Sequence, residues 1–557
     1  MKPFKKMKPF CFFIVATLLL SSCGKHTAVS DAPRIVNIIN FIRQLEPRTE
    51  DSGMMQDVLY ETVVEQINQL KQYGLQGTFL LQYDALLNPK YQELLKEELT
   101  RGSEVGAWWE ITQPHVEAIG LVWRGRFPWD WHANVGFATG YTPAEREKLV
   151  DEYMEKFKSV FGKYPASVGS WFIDAHTLGY MYDKYHIIAS CNCKDQIGTD
   201  GYTLWGGYWN QAYYPSRKNA YMPAQTKTGQ IPVPVFRMLG SDPIYQYEAG
   251  LGGKAQHVIS LEPVYQRNGA GGGERKWVEW FFHSMFDEPC LAYNYVQAGQ
   301  ENSFTWKDMQ KGLEIQIPLL DSLQKQGRVR IETLETSGRW FRERYPLTPP
   351  TAVTALTDYR NQDNKTVWYN SRFYRANLMW EGSSFRFRDI HLFDERLESD
   401  YFTKAGESTQ CIYTTLPVVD GFMWSTRSEK AGLRIVDNDG NPLTFGAPNV
   451  SELSVNVLQV TFSDASGRKF NLTFYEDRFE VTSNNDDAWA LELKTATETS
   501  VLPFSSINEN QIRARYNDFE YDIVCKKGSF VKADGCAFRI LPDKGKITVD
   551  CSSRLTR

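Results

Sequence analysis

Up to about residue 345 the chain alternates short apolar runs with stretches in which apolar residues recur every three or four positions. Residues 142–161 follow this spacing and predict an amphipathic helix, and after a turn at Gly162 the apolar run 168–173 predicts a buried strand. Further strands are predicted at 35–42, 77–81, 104–109, 187–191, 233–238, 258–261, 291–296 and 328–334, and further helices at 57–73, 89–99, 274–285 and 304–326. Strands that alternate with helices in this way predict a parallel sheet closed into a (β/α) barrel.

Beyond the proline-rich residues 346–350 the helical spacing stops. Short runs such as 366–369 and 469–475 alternate between turns, which is typical of antiparallel strands in an all-β sandwich. We therefore predict an α/β fold, an irregular (β/α) barrel followed by a β-sandwich domain. The predicted divisions are a signal peptide at 1–22, a tether at 23–33, a barrel catalytic domain at 34–345, a linker at 346–352 and a sandwich domain at 353–557.

Composition and charge narrow the class of ligand. The 557 residues carry a net charge of -5, and the sequence has no concentrated basic stretch, so we expect no nucleic acid partner. Aromatic residues make up 14%, with 16 Trp and 29 Tyr. Aromatic rings stack on the apolar faces of sugars, so this abundance suits a carbohydrate ligand, although much of it could simply be core.

The N-terminal segment has the pattern of an export signal. A lysine-rich start precedes an apolar run at residues 10–20, and the sequence Leu20-Ser21-Ser22-Cys23 then resembles a bacterial lipobox. This resemblance implies that Cys23 is lipidated and becomes the mature N-terminus, which anchors the chain to a membrane of the bacterial cell envelope. The alternative is a short transmembrane anchor, but the run is brief for crossing a bilayer.

The barrel half resembles a known family. The segments Gly-Leu-Gln-Gly-Thr-Phe at 74–79, Gly-Ser-Glu-Val-Gly at 102–106 and Gly-Lys-Tyr-Pro at 162–165 resemble the sequence rhythm of polysaccharide-deacetylase-like barrels. A barrel followed by a sandwich is also similar to glycoside hydrolases of families 38 and 57. The deacetylase pattern implies a metal held by aspartate and paired histidines. This sequence departs from it, because the first strand ends in Arg43 and the third offers Glu110 and His115.

Candidate catalytic residues stand where predicted strands end. Asp174 and His176 follow the strand at 168–173, and in an extended chain residues two apart project to the same side. Glu110 follows two tryptophans that would raise its pKa. We predict Asp174 and Glu110 as the carboxyl pair of a glycosidase, with His176 beside them. The alternatives are that Asp174 caps a helix and that Glu110 is a salt-bridged barrel residue.

Substrate contacts are predicted mainly in the loop at 121–136. Its arginines could clamp the carboxylate of an acidic sugar while its tryptophans stack on the ring. The alternative is a loop latched by its own arginine–tryptophan stacking. The predicted contacts are Arg124, Arg126, Trp129, Asp130, Trp131 and His132 in this loop, with Trp108, Trp171 and Glu262 outside it. Gln300, Glu301 and Asn302 follow another strand and are predicted to hydrogen-bond sugar hydroxyls.

The leading hypothesis is an exported, lipid-anchored glycoside hydrolase that acts on an oligosaccharide or glycan, including one with an acidic sugar. The alternatives are a surface lipoprotein that binds glycans without catalysis, and a metal-dependent carbohydrate deacetylase. We expect no cofactor, but two Asp-x-His pairs, at Asp130 and Asp174, permit a divalent metal.

Overall fold

The computed structural model describes residues 31–44, 52–253, 255–266, 269–485, 488–533 and 535–552. The predicted signal peptide, Cys23 and most of the tether lie outside the described residues. Within the described ranges, no helix combines the length and the apolar character needed to cross a membrane.

The strands of the first half of the molecule form a mainly parallel sheet and a short antiparallel pair. They are β1 (Arg34–Ile42), β2 (Thr78–Leu81), β3 (Glu104–Trp108), β4 (Ser167–Gly169), β5 (Ala189–Asn192), β6 (Gln196–Thr199), β7 (Tyr202–Trp205), β8 (Ala212–Tyr213), β9 (Val235–Arg237), β10 (Asn294–Ala298) and β11 (Arg330–Glu332). The order β10-β1-β2-β3-β4-β5-β9 is parallel throughout; β8 joins β9 antiparallel, and β11 pairs with β1. Every residue of β1 is buried, as expected for a parallel strand covered on both faces.

Side-chain hydrogen bonds connect the two ends of the sheet, with β10 at one end and β9 and β8 at the other. The backbone N–H of Leu239 donates to Oε1 of Gln297 at 2.8 Å, and the backbone N–H of Tyr295 donates to Oε1 of Gln211 at 2.8 Å. The sheet is therefore a nearly closed barrel, and the predicted fold class is confirmed.

Helices surround the barrel and connect its strands. They are α1 (Ser52–Tyr73), α2 (Tyr83–Leu87), α3 (Pro89–Thr100), α4 (Gln113–Ala118), α5 (Ala133–Gly136), α6 (Pro143–Phe161), α7 (Ala175–Tyr185), α8 (Arg275–Phe286), α9 (Thr305–Lys325) and α10 (Leu334–Arg344), with 3-10 turns at Ala138–Gly140, Asn302–Phe304 and Thr499–Val501. In α6, Thr142 and Glu145 form a capping box at the start, and Gly162 ends the helix at φ 77°. These local signals explain why the helix predicted at 142–161 forms almost as predicted.

The second half is a sandwich of antiparallel sheets. Its strands are β12 (Thr351–Ala355), β13 (Asn364–Asn370), β14 (Tyr374–Glu381), β15 (Ser384–Leu392), β16 (Cys411–Thr414), β17 (Leu416–Val419), β18 (Gly432–Val436), β19 (Asn449–Ser454), β20 (Val457–Ser463), β21 (Lys469–Phe474), β22 (Arg478–Ser483), β23 (Ala490–Lys494), β24 (Phe504–Ile507), β25 (Gln511–Tyr516), β26 (Phe519–Lys527), β27 (Ser529–Val531), β28 (Phe538–Leu541) and β29 (Lys546–Asp550). One sheet runs β12-β13-β14-β15-β18-β23-β28-β27 and the other β19-β20-β21-β22-β29-β26-β25-β24. Aromatic side chains such as Trp380, Phe385 and Phe462 pack in the core of the sandwich.

The two halves share an extensive seam. Strand β16 of the second half pairs in parallel with β7 of the first, and the rings of Trp209 and Trp368 stack across the seam at 4.0 Å. The last helix of the first half ends at Arg344 and the next strand begins at Thr351. The predicted domain divisions, and independent folding of the two halves, stay predictions.

Two local predictions differ from the structure. The strand predicted at 168–173 stops at Gly169, because Ser170 Oγ hydrogen-bonds back to the carbonyls of Trp109 and Phe172 at 2.8 Å each and the chain leaves the sheet. The apolar run at 258–261 forms only an isolated bridge at Ser260 rather than a strand.

Candidate active site

A cavity of about 440 Å³ lies at the carboxyl ends of the barrel strands. Arg43 directly follows β1, Cys193 directly follows β5, and Glu301 comes three residues after β10. In such barrels this rim is where the loops bring functional side chains together. The aromatic residues that line the cavity are Trp129, Trp131, Phe137, Trp171, Tyr202, Tyr265 and Phe304.

Arg43 links two carboxylates at the edge of the cavity. Its Nη2 and Nε donate to Oε1 and Oε2 of Glu110 at 2.6 and 2.9 Å, and its Nη1 lies 2.9 Å from Oε1 of Glu301. The guanidinium also lies over the ring of Trp129, 4.2 Å from its centroid. Because Gln82 Nε2 adds a hydrogen bond to Oε2 of Glu110 at 2.7 Å, both oxygens of Glu110 are engaged. Glu110 is buried and does not line the cavity.

Glu301 lines the cavity, and its two carboxyl oxygens differ in their contacts. Its Oε1 accepts from Ser303 Oγ at 2.6 Å as well as facing Arg43. Its Oε2 is buried and has no hydrogen-bond partner among the described residues. Burial raises the pKa of Glu301 to about 7, against the opposing effect of Arg43. Near neutral pH both the protonated and the ionised form of this carboxyl are therefore populated.

Glu262 lines the same cavity. Its Oε2 accepts from Ser260 Oγ at 2.8 Å and its Oε1 accepts from Gln300 Nε2 at 3.0 Å. Burial raises the pKa of Glu262, while the ammonium of Lys194 and these two hydrogen bonds oppose the rise. The side chain of Gln300 also accepts the backbone N–H of Glu301 at 2.8 Å, so it contacts the carboxylate of Glu262 and the main chain of Glu301.

Asp174 and His176 do not line this cavity. Asp174 is fully buried at the N-cap of α7, where it accepts from the backbone N–H and hydroxyl of Thr177 at 2.9 and 2.6 Å and pairs with Arg146 at 2.9 Å. His176 lies inside α7 and contacts Glu147 at 3.0 Å on a partly exposed face. The two-residue alternation of a strand does not hold here because β4 has already ended and the helix begins at Ala175. Neither residue is brought together with Glu110.

Some residues of the loop at 121–136 line the cavity, and others make contacts that hold the loop itself in place. Trp129 and Trp131 line the cavity, but Arg124 donates to the carbonyl of Gly140 at 2.8 Å and Arg126 is paired with both oxygens of Asp130 at 2.8 Å each. The Arg126 guanidinium lies 4.7 Å from the centroid of the Trp131 ring. These contacts match the alternative of a loop latched by its own arginines.

The remaining predicted contacts fall into two groups. Trp171 and Glu262 line the cavity, whereas Trp108 is fully buried, stacked on Phe41 at 4.2 Å and edge-on to Trp171 at 5.2 Å. His132 lies 3.6 Å from Asp130 and does not line the cavity. Trp108 therefore packs against Trp171, which lines the cavity, and does not line the cavity itself.

Two residues that line the cavity, Arg43 and Glu301, were not predicted as candidate catalytic residues from the sequence. Arg43 entered only as a departure from a metal-binding pattern, and Glu301 only as a candidate for binding hydroxyls. The signal that could have found them is position, since both follow predicted barrel strands closely.

The cavity does not fit the metal of a deacetylase. The described residues that line it include no histidine, and the guanidinium of Arg43 occupies the space between the carboxylates of Glu110 and Glu301. His115 is fully buried elsewhere, with Nε2 2.8 Å from the carbonyl of Leu149. The guanidinium of Arg43 therefore supplies the positive charge that faces these carboxylates.

No protein-family model and no curated protein matches the sequence. Among solved structures, the chain is similar to a protein from Parabacteroides distasonis described as a "putative glycoside hydrolase/deacetylase", with a TM-score of 0.55 and 16% identity over 70% of this chain and 91% of that chain. It is also similar to polysaccharide deacetylases from Mycobacterium smegmatis and Pseudomonas aeruginosa PAO1, described as "putative" and "probable", with TM-scores of 0.35, identities of 13% and 12%, and coverage of 57% of this chain and 93% of each of those. The first likeness shows a shared fold.

Proposed function

We propose that the protein is a glycoside hydrolase that cleaves an oligosaccharide in the barrel cavity. The observation that carries this proposal is that two buried carboxyls, Glu262 and Glu301, line one aromatic-walled cavity. Hydrolysis of a glycosidic bond commonly uses such a pair, one protonated and one ionised. We assign this pair in place of Asp174, which pairs with Arg146 and does not line the cavity, and of Glu110, whose oxygens both accept from the lining residue Arg43.

Glu301 is assigned as the general acid. Its raised pKa, about 7, keeps much of it protonated near neutrality, and its Oε2 has no hydrogen-bond partner among the described residues. It donates its proton to the glycosidic oxygen as the bond from that oxygen to the anomeric carbon breaks. Arg43 and Ser303 hold the other oxygen, and they stabilise the carboxylate that remains.

Glu262 is assigned as the second carboxyl. Its ionised form is favoured by Lys194 and by hydrogen bonds from Ser260 and Gln300, which partly offset the effect of burial. As a carboxylate it either attacks the anomeric carbon or takes a proton from the water that does so. The configuration of the first sugar released, followed by NMR, distinguishes these routes.

The proposed substrate is a neutral oligosaccharide. Trp129, Trp131 and Trp171 offer faces on which sugar rings stack. The arginines considered for binding an acidic sugar are engaged by the loop itself, Arg124 by a carbonyl and Arg126 by Asp130. The cavity also holds more acidic than basic lining residues, namely Asp200, Glu262 and Glu301 against Arg43.

The test measures the release of reducing sugar from a panel of neutral oligosaccharides by the wild type, by Glu262→Gln and by Glu301→Gln. Each variant is expected to lose on the order of a hundredfold or more in kcat, because each removes one half of the acid/base work, while calorimetry shows binding retained. Glu147→Gln is the matched control, since its carboxylate lies on an exposed face of α6.

Other outcomes redirect the proposal. Full turnover in both cavity variants would contradict the assignment of the pair. Binding by a wild type that cleaves nothing would favour the glycan-binding alternative, and release of acetate from acetylated glycans that a chelator abolishes would favour a deacetylase.

We further propose that the enzyme is carried on the bacterial cell envelope by a lipid on Cys23. The lipobox supports this, as does its position at the end of an apolar run. The Cys23→Ser chain should accumulate as an unprocessed precursor and incorporate no labelled fatty acid. Continued labelling of that variant would contradict the anchor site, whatever the outcome of the carboxyl variants.

A further inference from the structure

A buried histidine and two aspartates converge at the seam between sandwich and barrel. Asp389 and His391 belong to β15, and Asp420 directly follows β17. His391 Nε2 lies 3.1 Å from Oδ1 of Asp389 and 3.6 Å from Oδ2 of Asp420, and the candidate ligand atoms all lie within 4.8 Å of one another. None of the three side chains is more than 4% exposed. Ligands about 2 Å from one ion stand roughly 3 to 4 Å apart, close to this arrangement.

The hydrogen bond on the far side of His391 sets its tautomer. Nδ1 lies 2.9 Å from Oγ1 of Thr415, and that hydroxyl donates its single proton to the carbonyl of Gly206 at 2.7 Å. Nδ1 must therefore carry the proton and donate to Thr415. In a neutral imidazole this leaves the lone pair on Nε2, directed toward the two aspartates.

Two of the facing atoms contact each other. Within the described part of the chain, His391 Nε2 and Asp389 Oδ1 lie 3.1 Å apart, the distance of an ion pair when the imidazole is protonated, and neither atom makes a well-oriented hydrogen bond. Both belong to side chains that are almost completely buried. Buried polar atoms nearly always have well-oriented partners, and a bound ion between the imidazole and the carboxylates would supply one.

The other atoms of the aspartates are held in place. Oδ2 of Asp389 accepts from Nε of Arg375 at 2.7 Å, and Oδ1 of Asp420 accepts the backbone N–H groups of Phe422 and Met423 at 3.0 and 2.7 Å. Metal ligands are typically oriented by an outer layer of hydrogen bonds of this kind.

We propose that Asp389, His391 and Asp420 bind one divalent transition-metal ion, with zinc as the first probe and manganese as the second. One imidazole nitrogen with two carboxylates is a donor set that both ions accept. None of the three residues lines the active-site cavity, so the ion is structural and this proposal is independent of the carboxyl pair.

The site ties the sandwich to the cavity wall. Oδ2 of Asp420 also accepts from Nε1 of Trp205 at 2.9 Å, and Trp205 is the last residue of β7. Tyr202, the first residue of that strand, lines the cavity. Loss of the ion should therefore loosen the seam and, through β7, one wall of the cavity.

The first measurement is the metal content of the full chain by plasma mass spectrometry after dialysis against zinc and, separately, manganese. We expect about one equivalent of one of these ions per chain in the wild type, and loss of it in His391→Gln and Asp420→Asn. His283→Gln is the matched control, because His283 also contacts two acidic residues, Asp287 and Glu288, but on an exposed helix. That variant should retain the ion.

The second measurement uses only the wild type and so does not depend on whether a variant folds. A strong chelator should lower the Tm, and the ion that binds should restore it. A wild type that holds less than about a tenth of an equivalent of either ion and whose Tm ignores the chelator would overturn the proposal and leave His391 as an imidazolium paired with both aspartates. Full metal content in both variants would overturn it as well.

Discussion

The segments that follow β4 and β10 each place a buried carboxylate beside an arginine, but the two carboxylates have different surroundings. Asp174, after β4, contacts Arg146 and Thr177 and serves as the N-cap of α7. Glu301, after β10, lines the cavity and contacts Arg43 and Ser303 through one oxygen, while the other is buried without a hydrogen-bond partner among the described residues. Two carboxylates that each follow a barrel strand thus serve as a helix cap in one segment and as part of a cavity wall in the other.

The largest effect is expected on stability, when Asp174 is replaced by a neutral residue. Asp174→Asn leaves the buried guanidinium of Arg146 without its counter-charge, and we expect a loss of about 3–5 kcal/mol in the free energy of unfolding, measured by urea titration. Asp183→Asn, which removes the carboxylate of an exposed pair with Arg217, should cost less than about 1 kcal/mol. A large loss of kcat per folded molecule with unchanged stability would return Asp174 to the chemistry.

The pH dependence of turnover sharpens the role of Glu301. A general acid must be protonated to act, and burial raises the pKa of Glu301 to about 7. Activity should therefore persist below that pH and fall about tenfold per unit well above it. On an aryl glycoside whose leaving group needs no proton, Glu301→Gln should stay active and lose the alkaline fall. An alkaline fall that survives in the variant would show that another group is the acid.

The smallest effect is expected at His176. Its imidazole pairs with Glu147, and both side chains are partly exposed to solvent, at 27% and 41%. His176→Ala should change the free energy of unfolding by less than about 1 kcal/mol and leave kcat unchanged. Turnover that drops tenfold or more would contradict the separation of this helix face from the active site.

The fold was predictable where local signals and periodicity agree. The helix predicted at 142–161 runs over Pro143–Phe161, because a capping box opens it and a glycine closes it. The strand predicted at 168–173 ended early at Gly169, and that error moved Asp174 and His176 from an imagined rim to a helix N-terminus. An apolar run shows that a segment is buried but not where the sheet stops.

The residues that line the cavity were easier to predict from the sequence than the contacts among its charged groups. Trp129, Trp131, Trp171 and Glu262 were predicted as substrate contacts and do line the cavity, although their roles stay predictions. The pairing of Arg43 with Glu110 and Glu301 joins residues from three strand ends far apart in sequence. No spacing rule reaches over such distances.

The sequence by itself determined the succession of a barrel and a sandwich and an aromatic-rich loop near the rim, because periodicity and capping act over a few residues. It also determined the lipobox-like start, which lies outside the described residues. Only the tertiary structure decided which carboxyls line the cavity and which three side chains of the sandwich seam converge. Those outcomes depend on hydrogen bonds between distant segments, and a carboxylate has the same sequence signature whether its oxygens are filled or not.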